Sequence, residues 1–198
     1  MSPVGQNTSV YHIFERLNTG GTPLRPQEIR NVVFRGDFAL MLKELNKDLN
    51  WRELLGKYTY DKHQTDVELL LRVFALSNRD KDYEKPMKEF INKAMHKYQK
   101  GQASKVTLFQ EQFPKITKIV HETLGQRPFH LRGKLNTSAL DSVLCTLLEN
   151  FGREPKNLKQ RYKALVDDPI FETLTTIGTT DTATVKKRLE MVKRYIIL

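Results

Sequence analysis

Apolar residues recur at helical spacing along almost the whole chain, and this periodicity constrains the fold more than any other feature. The stripes return every three or four residues, as they do on one face of an α-helix. No short run alternates strictly between polar and β-branched apolar residues, so no strand is indicated. We therefore expect an all-α fold of about ten helices in a multi-helical bundle.

Local signals predict where some of these helices begin and end. Asp168 and Pro169 have the residue types favoured at the N-cap and at the first position of a helix. Pro114 predicts a break or a new start, because proline donates no backbone hydrogen bond. Val10 begins an apolar stripe that defines the first helix.

The segment GQRPFHLRGK, residues 125–134, is the longest irregular stretch between helical patterns. It predicts a division of the chain into an N-terminal helical part, 1–124, and a C-terminal helical part, 125–198. We expect these two parts to form one continuous domain.

Length and composition are those of an ordinary soluble protein. The chain has 198 residues, of which 39% are hydrophobic and 28% are charged, so it can bury a sizeable core. No segment approaches ~18 consecutive apolar residues, and we expect no membrane span. The first residues lack the features of a signal peptide, and the single cysteine, Cys145, excludes an internal disulfide. We therefore expect a cytoplasmic protein.

Basic residues outnumber acidic ones, with 33 Lys and Arg against 23 Asp and Glu, a formal net charge of +10. A protein with this charge attracts polyanions such as nucleic acid. Each basic cluster is either a solvated surface or a nucleic-acid contact. The clusters are Arg127, His130, Arg132 and Lys134; Lys156, Lys159, Arg161 and Lys163; and Lys186, Lys187, Arg188, Lys193 and Arg194.

The segment IFERLNTGGTPLRPQEIRN, residues 13–31, is the most unusual stretch of the sequence. Much of it is explained by a tight corner between two helices. Gly20 and Gly21 suit the end of the first helix, a proline suits the first position of the next, and Glu28 supplies half of a capping box. The N-cap would be Arg25, which is a poor capping residue.

Polar side chains on both sides of this corner are left unexplained by helix punctuation. They are Arg16 and Asn18 at the end of the first helix, and Glu28, Arg30 and Asn31 at the start of the second. Arginine and asparagine can grip a phosphate or a base edge. We expect one polar cluster around the turn, with Arg16 and Asn18 as its functional face. Arg30 is expected to pair with Glu15 or Glu28.

The same segment resembles a known family. Its spacing Phe-x-Arg-x-Asn-x-Gly-Gly, followed by Leu-x-Pro-x-Glu-x-Arg-Asn, is similar to a motif in the N-terminal domain of GmrSD-type restriction endonucleases, which are ParB/sulfiredoxin-like proteins of bacterial phage defence. The resemblance is strong over residues 13–34 and looser over 8–198, where TDVELLLRVFAL, NTSALDSVLCTLLEN and TATVKKRLEMVKRYI resemble later helices. It implies a nucleotide- or nucleic-acid-binding site at Arg16, Asn18, Gly20, Gly21, Glu28, Arg30 and Asn31.

The resemblance also implies an absent half. Family members begin with a ParB-like α/β half whose Asp-Gly-Gln-Gln-Arg motif is linked to nucleotide hydrolysis and nucleic-acid cleavage, and some carry an HNH-like nuclease domain. Neither motif occurs in this sequence. We therefore expect only the helical C-terminal part of an NTP-dependent DNA endonuclease, inactive alone and without a cofactor. A nucleoside triphosphate and Mg²⁺ would belong to the complete domain. Arg25 departs from the small polar residue that the family favours at the N-cap.

The resemblance also implies partners for this chain, because family members carry an α/β half that this sequence lacks. If it docks beside the first helix, some apolar side chains of that helix lack cover within this chain. Such a surface recruits the catalytic half, a separate subunit or a second copy. The side chains concerned are Val10, Ile13, Phe14 and Leu17.

Two alternative functions remain open. The chain could be a standalone, non-catalytic helical module that binds nucleic acid, or a degenerate fragment that keeps the fold and has lost the function. An adjacent reading frame that encodes Asp-Gly-Gln-Gln-Arg would favour the restriction-type reading. The histidines are too scattered for a metal site, and Cys145 lies in an apolar stripe that suits a buried thiol.

Overall fold

A computed structural model describes residues 6–18, 23–77 and 83–198. Within these ranges the chain forms eleven helices and one two-stranded hairpin, which confirms the all-α prediction. The helices are α1 Gln6–Leu17, α2 Pro26–Val33, α3 Asp37–Leu45, α4 Leu49–Leu55, α5 Thr65–Leu76, α6 Met87–Tyr98, α7 Ser104–Leu124, α8 Thr137–Glu149, α9 Leu158–Val166, α10 Pro169–Leu174 and α11 Thr182–Ile196. The strands are β1 His130–Leu131 and β2 Lys134–Leu135.

Helix α8 lies at the centre of the bundle, and every residue from Ser138 to Leu148 is buried. It packs against α5, α7 and α11, so it joins the helices before residue 125 to those after it. Helix α4 packs on α7, while α9 and α10 pack on α11. The buried apolar side chains form one hydrophobic cluster through all of these layers.

A buried charge network crosses this core. Asp141 of α8 is fully buried and accepts a hydrogen bond of 2.5 Å from Nη2 of Arg72 on α5. Arg188 of α11, also fully buried, lies with its Nη2 3.7 Å from the same carboxylate and donates from Nε to Ser142 at 2.7 Å. These contacts join α5, α8 and α11. Breaking them is costly, because it leaves an uncompensated charge in the interior.

The segment at residues 125–134 lies between α7 and α8, where the sequence predicted a long loop, but part of it is paired. His130 pairs with Leu135 and Leu131 with Lys134 in an antiparallel hairpin. The following residue, Asn136, caps α8 by accepting a hydrogen bond from Ala139 N at 2.9 Å. The predicted long loop therefore contains a small hairpin that leads directly into the central helix.

Pro114 does not break its helix, and this prediction was wrong. Helix α7 runs from Ser104 to Leu124 with Pro114 inside it. The carbonyl that loses its partner belongs to Gln110, one turn earlier, and Gln110 is exposed. Water can take the place of the missing backbone donor there, so the helix continues through the proline.

Candidate functional site

Helix α1 is held to the bundle by a side of the helix different from its apolar stripe. Tyr11 is fully buried, and its ring stacks on Phe34 with centroids 6.4 Å apart. Lys88 of α6 binds both carboxylate oxygens of Glu15, at 2.5 and 2.6 Å. These hydrogen bonds hold the pKa of Glu15 below its usual value. The Tyr11 ring and the Glu15–Lys88 ion pair thus hold helix α1 against α2 and α6, and Nε2 of His12 lies 3.4 Å from Glu89 of α6.

The apolar stripe of α1 faces solvent, as the resemblance led us to expect. Its four side chains follow the i, i+3, i+4, i+7 spacing of a single helix face. In most surface helices this face is turned toward the core, and here it is not. The exposed fractions are Val10 40%, Ile13 55%, Phe14 43% and Leu17 74%.

Asn18 joins the end of α1 to the segment before α2. Its Nδ2 donates to the backbone oxygen of Leu24 at 2.9 Å, and its Oδ1 accepts from the backbone nitrogen of Leu24 at 3.0 Å. We call this pair of bonds the 18–24 clamp. Gly20 and Gly21, which belong to the predicted site, lie outside the described residues.

Glu28 takes the predicted capping role. Its Oε2 accepts a hydrogen bond of 2.7 Å from the backbone nitrogen of Arg25, the residue that precedes α2. The same carboxylate lies 3.4 Å from Nδ1 of His63. The Arg25 side chain is exposed. A residue that caps helices poorly is tolerated at this position because Glu28 accepts from its backbone nitrogen.

Arg30 points into the protein, and its predicted pairing was wrong. The guanidinium is 1% exposed and binds Glu68 on α5, with Nη1 2.6 Å from Oε2. Its Nε donates to Asn92 Oδ1 on α6 at 2.7 Å. Glu15 and Glu28 are already engaged, by Lys88 and by a backbone nitrogen. The face of α2 that carries Arg30 is turned toward α5 and α6, so the partner lies far away in sequence.

Asn31 belongs to the same inner network as Arg30. Its Nδ2 donates to Oε1 of Gln64, just before α5, and its Oδ1 accepts from Gln27 at 3.2 Å. Gln27 also accepts from Arg30 Nη1 at 3.1 Å. Arg30 and Asn31 therefore hold α2 against the bundle, and neither is presented at the surface turn.

Arg16 is exposed and makes no hydrogen bond or ion pair with any residue in the described ranges. It precedes the clamp by two residues, and the exposed Arg25 directly follows it. The expected single polar cluster is thus divided. Arg16, Arg25 and the clamp lie at the surface, whereas Arg30 is buried and Asn31 is half-buried. Exposed arginines such as Arg16 and Arg25 can contact an anion such as a phosphate.

Several residues of this region were missed in the sequence. Glu68 and Asn92 stabilise Arg30 from α5 and α6, and Tyr11 anchors α1. Burial raises the pKa of Tyr11 to about 12, and its hydroxyl has no hydrogen-bond partner among the residues that the structure describes. The sequence offered one signal for Tyr11, namely an aromatic residue away from the apolar stripe.

The basic clusters of α9 and α11 come together. Arg161 donates from Nη1 to the backbone oxygen of Tyr195 at 3.0 Å. A surface cavity of about 440 Å³ between α10 and α11 is lined by Lys187, Glu190 and Arg194, among others. Arg188 is not part of this basic surface, because it is buried in the core.

Other chemistry finds little support in the described part of the chain. It contains no group of three or more His, Cys, Asp or Glu side chains placed to hold a metal ion. Burial raises the pKa of the Cys145 thiol well above its usual value, which disfavours the reactive thiolate. None of the described helices combines the length and the apolar character that crossing a bilayer requires.

Comparisons with known proteins return no relative. No model of a protein family, no curated protein and no solved structure matches this chain.

Proposed function

We propose that this chain is the helical portion of a GmrSD-like restriction domain and that it contributes a nucleotide- or nucleic-acid-binding site without catalysing a reaction alone. The proposal rests on the motif in residues 13–31 and on one observation. The 18–24 clamp ties the end of α1 to the segment before α2, and the arginines that flank it in sequence, Arg16 and Arg25, are exposed. Exposed arginines beside a fixed backbone junction suit a phosphate group.

In this proposal the residues of the motif have different roles. Arg16 contacts the phosphate, and Gly20 and Gly21 carry no side chain that would hinder its approach. Asn18 and Glu28 fix the segment before α2, since their polar atoms bind the backbone of Leu24 and Arg25. The buried Arg30 and the half-buried Asn31 fix the orientation of α2 instead of touching the ligand.

The exposed face of α1 supports the second part of the proposal, a catalytic half that docks there. Four apolar side chains on one helical face are a typical protein-binding surface. An α/β half on this face would lie beside Arg16 and the clamp. It would then supply the catalytic groups, the nucleoside triphosphate and Mg²⁺, and this chain would supply one wall of the site.

The test is a binding and hydrolysis assay with labelled duplex DNA and nucleoside triphosphate, with and without the product of the neighbouring gene. We expect binding by this chain and hydrolysis only in the mixture, with both lost in Arg16→Ala. Arg153→Ala is the matched control, because Arg153 is also exposed and lies far away in sequence. Hydrolysis by this chain alone, or equal effects of the two substitutions, would refute the proposal.

A second candidate is a standalone nucleic-acid-binding module, favoured by the junction of α9 and α11. The bond from Arg161 to Tyr195 brings two basic clusters together, and Lys187 and Arg194 line a cavity between α10 and α11. Under this reading the double substitution Lys187→Ala and Arg194→Ala abolishes DNA binding, and Arg16→Ala does not. If the wild-type chain binds neither DNA nor nucleotide, the third hypothesis, a degenerate fragment, is favoured.

A further inference from the structure

The loop between α4 and α5, residues 56–64, exposes two aromatic rings. Tyr58 is 70% exposed and Tyr60 is 61% exposed. Single exposed apolar residues are common on protein surfaces, but two rings two residues apart on one loop form a small aromatic surface. The Tyr58 hydroxyl donates to Glu53 at 2.9 Å, which leaves the faces of the ring open.

A buried arginine holds this loop in place from beneath. Arg52 is 4% exposed, donates from Nε to Lys57 O at 2.8 Å and from Nη2 to Thr59 O. Its Nη1 binds Asp66 Oδ2 at 2.7 Å, which neutralises the charge. The guanidinium carbon lies 5.1 Å from the centroid of the Tyr60 ring. The backbone between the two tyrosines is therefore fixed before any ligand arrives, and a preorganised surface loses less entropy on binding.

Cations lie on both sides of the two rings. A cavity of about 270 Å³ beside Tyr60 is lined by Lys43 and Lys47, among others. On the other side, the Arg127 backbone nitrogen donates to Glu53 O at 3.2 Å. The exposed Arg127 side chain crosses over Gly56, where an added Cβ would lie 2.8 Å from its Cγ. Gly56 also has a φ of +62°, which residues with a side chain rarely adopt. Both this backbone conformation and the contact with Arg127 therefore favour glycine at position 56.

Most carboxylates near the loop are paired with cations. Glu44 pairs with Lys47 at 2.7 Å, Lys57 lies 3.6 Å from Asp61, and Asp66 is buried against Arg52. Glu53 differs, because its partner is the neutral Tyr58 hydroxyl. The exposed Lys43 and Arg127 outnumber this carboxylate.

We propose that Tyr58 and Tyr60 are a stacking platform for the bases of single-stranded nucleic acid, with Lys43 and Arg127 contacting the phosphates on either side. Aromatic rings beside a cationic track are the common means of binding single strands. A duplex keeps its bases stacked inside, so its bases cannot reach the rings. This platform is on elements other than the α1–α2 corner and does not depend on the function proposed for that corner.

The test measures the fluorescence anisotropy of a labelled oligodeoxythymidine of about 15 nucleotides and of a labelled duplex hairpin. We expect the double substitution Tyr58→Ala and Tyr60→Leu to weaken single-strand binding by about tenfold or more. Leucine at position 60 keeps an apolar cover over Arg52. Tyr58→Phe and Tyr60→Phe keep the rings and should retain wild-type affinity. Leu49→Ala is the surface control, because Leu49 is 79% exposed and precedes the loop.

Three results would overturn the platform. The first is wild-type affinity in the double variant that lacks both rings. The second is an equal loss in the phenylalanine variants, which would assign the effect to the hydroxyls. The third is a duplex bound as tightly as the single strand and weakened equally by the tyrosine substitutions. The thermal midpoint of each variant, compared with the wild type, separates lost binding from lost folding.

Discussion

Asn18 binds both backbone polar groups of Leu24, at 2.9 and 3.0 Å, and so ties the end of α1 to the segment before α2. The Asn18 side-chain amide thus satisfies the backbone groups of Leu24 that would otherwise need a backbone partner. The sequence raised the question of whether this corner is a turn or a binding site. Asn18 is part of the turn, and Arg16 is left as the group that is free to bind.

The first prediction concerns the clamp. Asn18→Ala should lower the free energy of unfolding by only about 1 kcal/mol, because water can replace two hydrogen bonds at an exposed position. Its main effect should be local, namely faster hydrogen exchange at the Leu24 amide. Asn18→Asp should protect that amide better than alanine does, since a carboxylate still accepts from it. An unchanged exchange rate in Asn18→Ala would show that the clamp is not formed in solution.

The second prediction contrasts two arginines of the motif. Arg30→Ala should destabilise the protein by about 3 kcal/mol or more, because Asn92 and Glu68 lose a buried, charge-assisted partner. Arg16→Ala should change stability by less than about 0.5 kcal/mol, as exposed substitutions do. Urea denaturation measures both. Equal effects would mean that the motif is not divided into a buried part and a surface part.

The third prediction uses the buried hydroxyl of Tyr11, for which the described part of the chain offers no hydrogen-bond partner. Tyr11→Phe should be neutral or stabilising, because it removes a polar atom that burial strips of water. Tyr11→Ala should destabilise the protein by about 3 kcal/mol or more, since a cavity replaces the ring.

The pH dependence of Tyr11 has a definite sign. Its pKa rises from 10.0 in the unfolded chain to about 12 in the protein. The wild type should therefore lose stability as pH rises from 10 to about 12, because the unfolded chain ionises first. Tyr11→Phe should lose less over the same range. Parallel stability curves for the two proteins above pH 10 would contradict the burial of this hydroxyl.

The fourth prediction concerns the exposed face of α1. Phe14→Gln and Leu17→Gln together should leave the free energy of unfolding within about 1 kcal/mol of the wild type, because both side chains are largely exposed. They should weaken association with a docking half or with a second copy. Sedimentation velocity, with and without the neighbouring gene product, measures this. Ile177→Gln, at a residue that is 69% exposed on another surface, is the control. A large loss of stability would show that the stripe is part of the core.

Local chemistry was predictable from the sequence. Asp168 caps α10 by accepting from Ile170 N at 2.7 Å, with Pro169 at the first position. Glu28 satisfies the backbone of Arg25, as the capping box predicted. Both predictions succeed because the partners are within a few residues of each other, where helix geometry alone determines their approach.

Long-range partners were not predictable in the same way. Arg30 pairs with Glu68, which is 38 positions away, and nothing in the spacing of either segment indicates that α2 turns this face toward α5. Whether α7 continues through Pro114 depended on the exposure of the Gln110 carbonyl, which the sequence does not reveal. Helix α1 shows the third limit, since its apolar stripe is exposed and the spacing of a stripe does not tell whether anything covers it.

The central claim is that Arg16 contacts a nucleic-acid or nucleotide phosphate at the α1–α2 corner. The most direct measurement is the salt dependence of duplex DNA binding for the wild type, Arg16→Ala and Arg153→Ala. Each lost phosphate contact lowers the slope of log K against log salt concentration by about 1. We expect this loss in Arg16→Ala and the wild-type slope in Arg153→Ala. An Arg16→Ala slope equal to that of the wild type would contradict the claim.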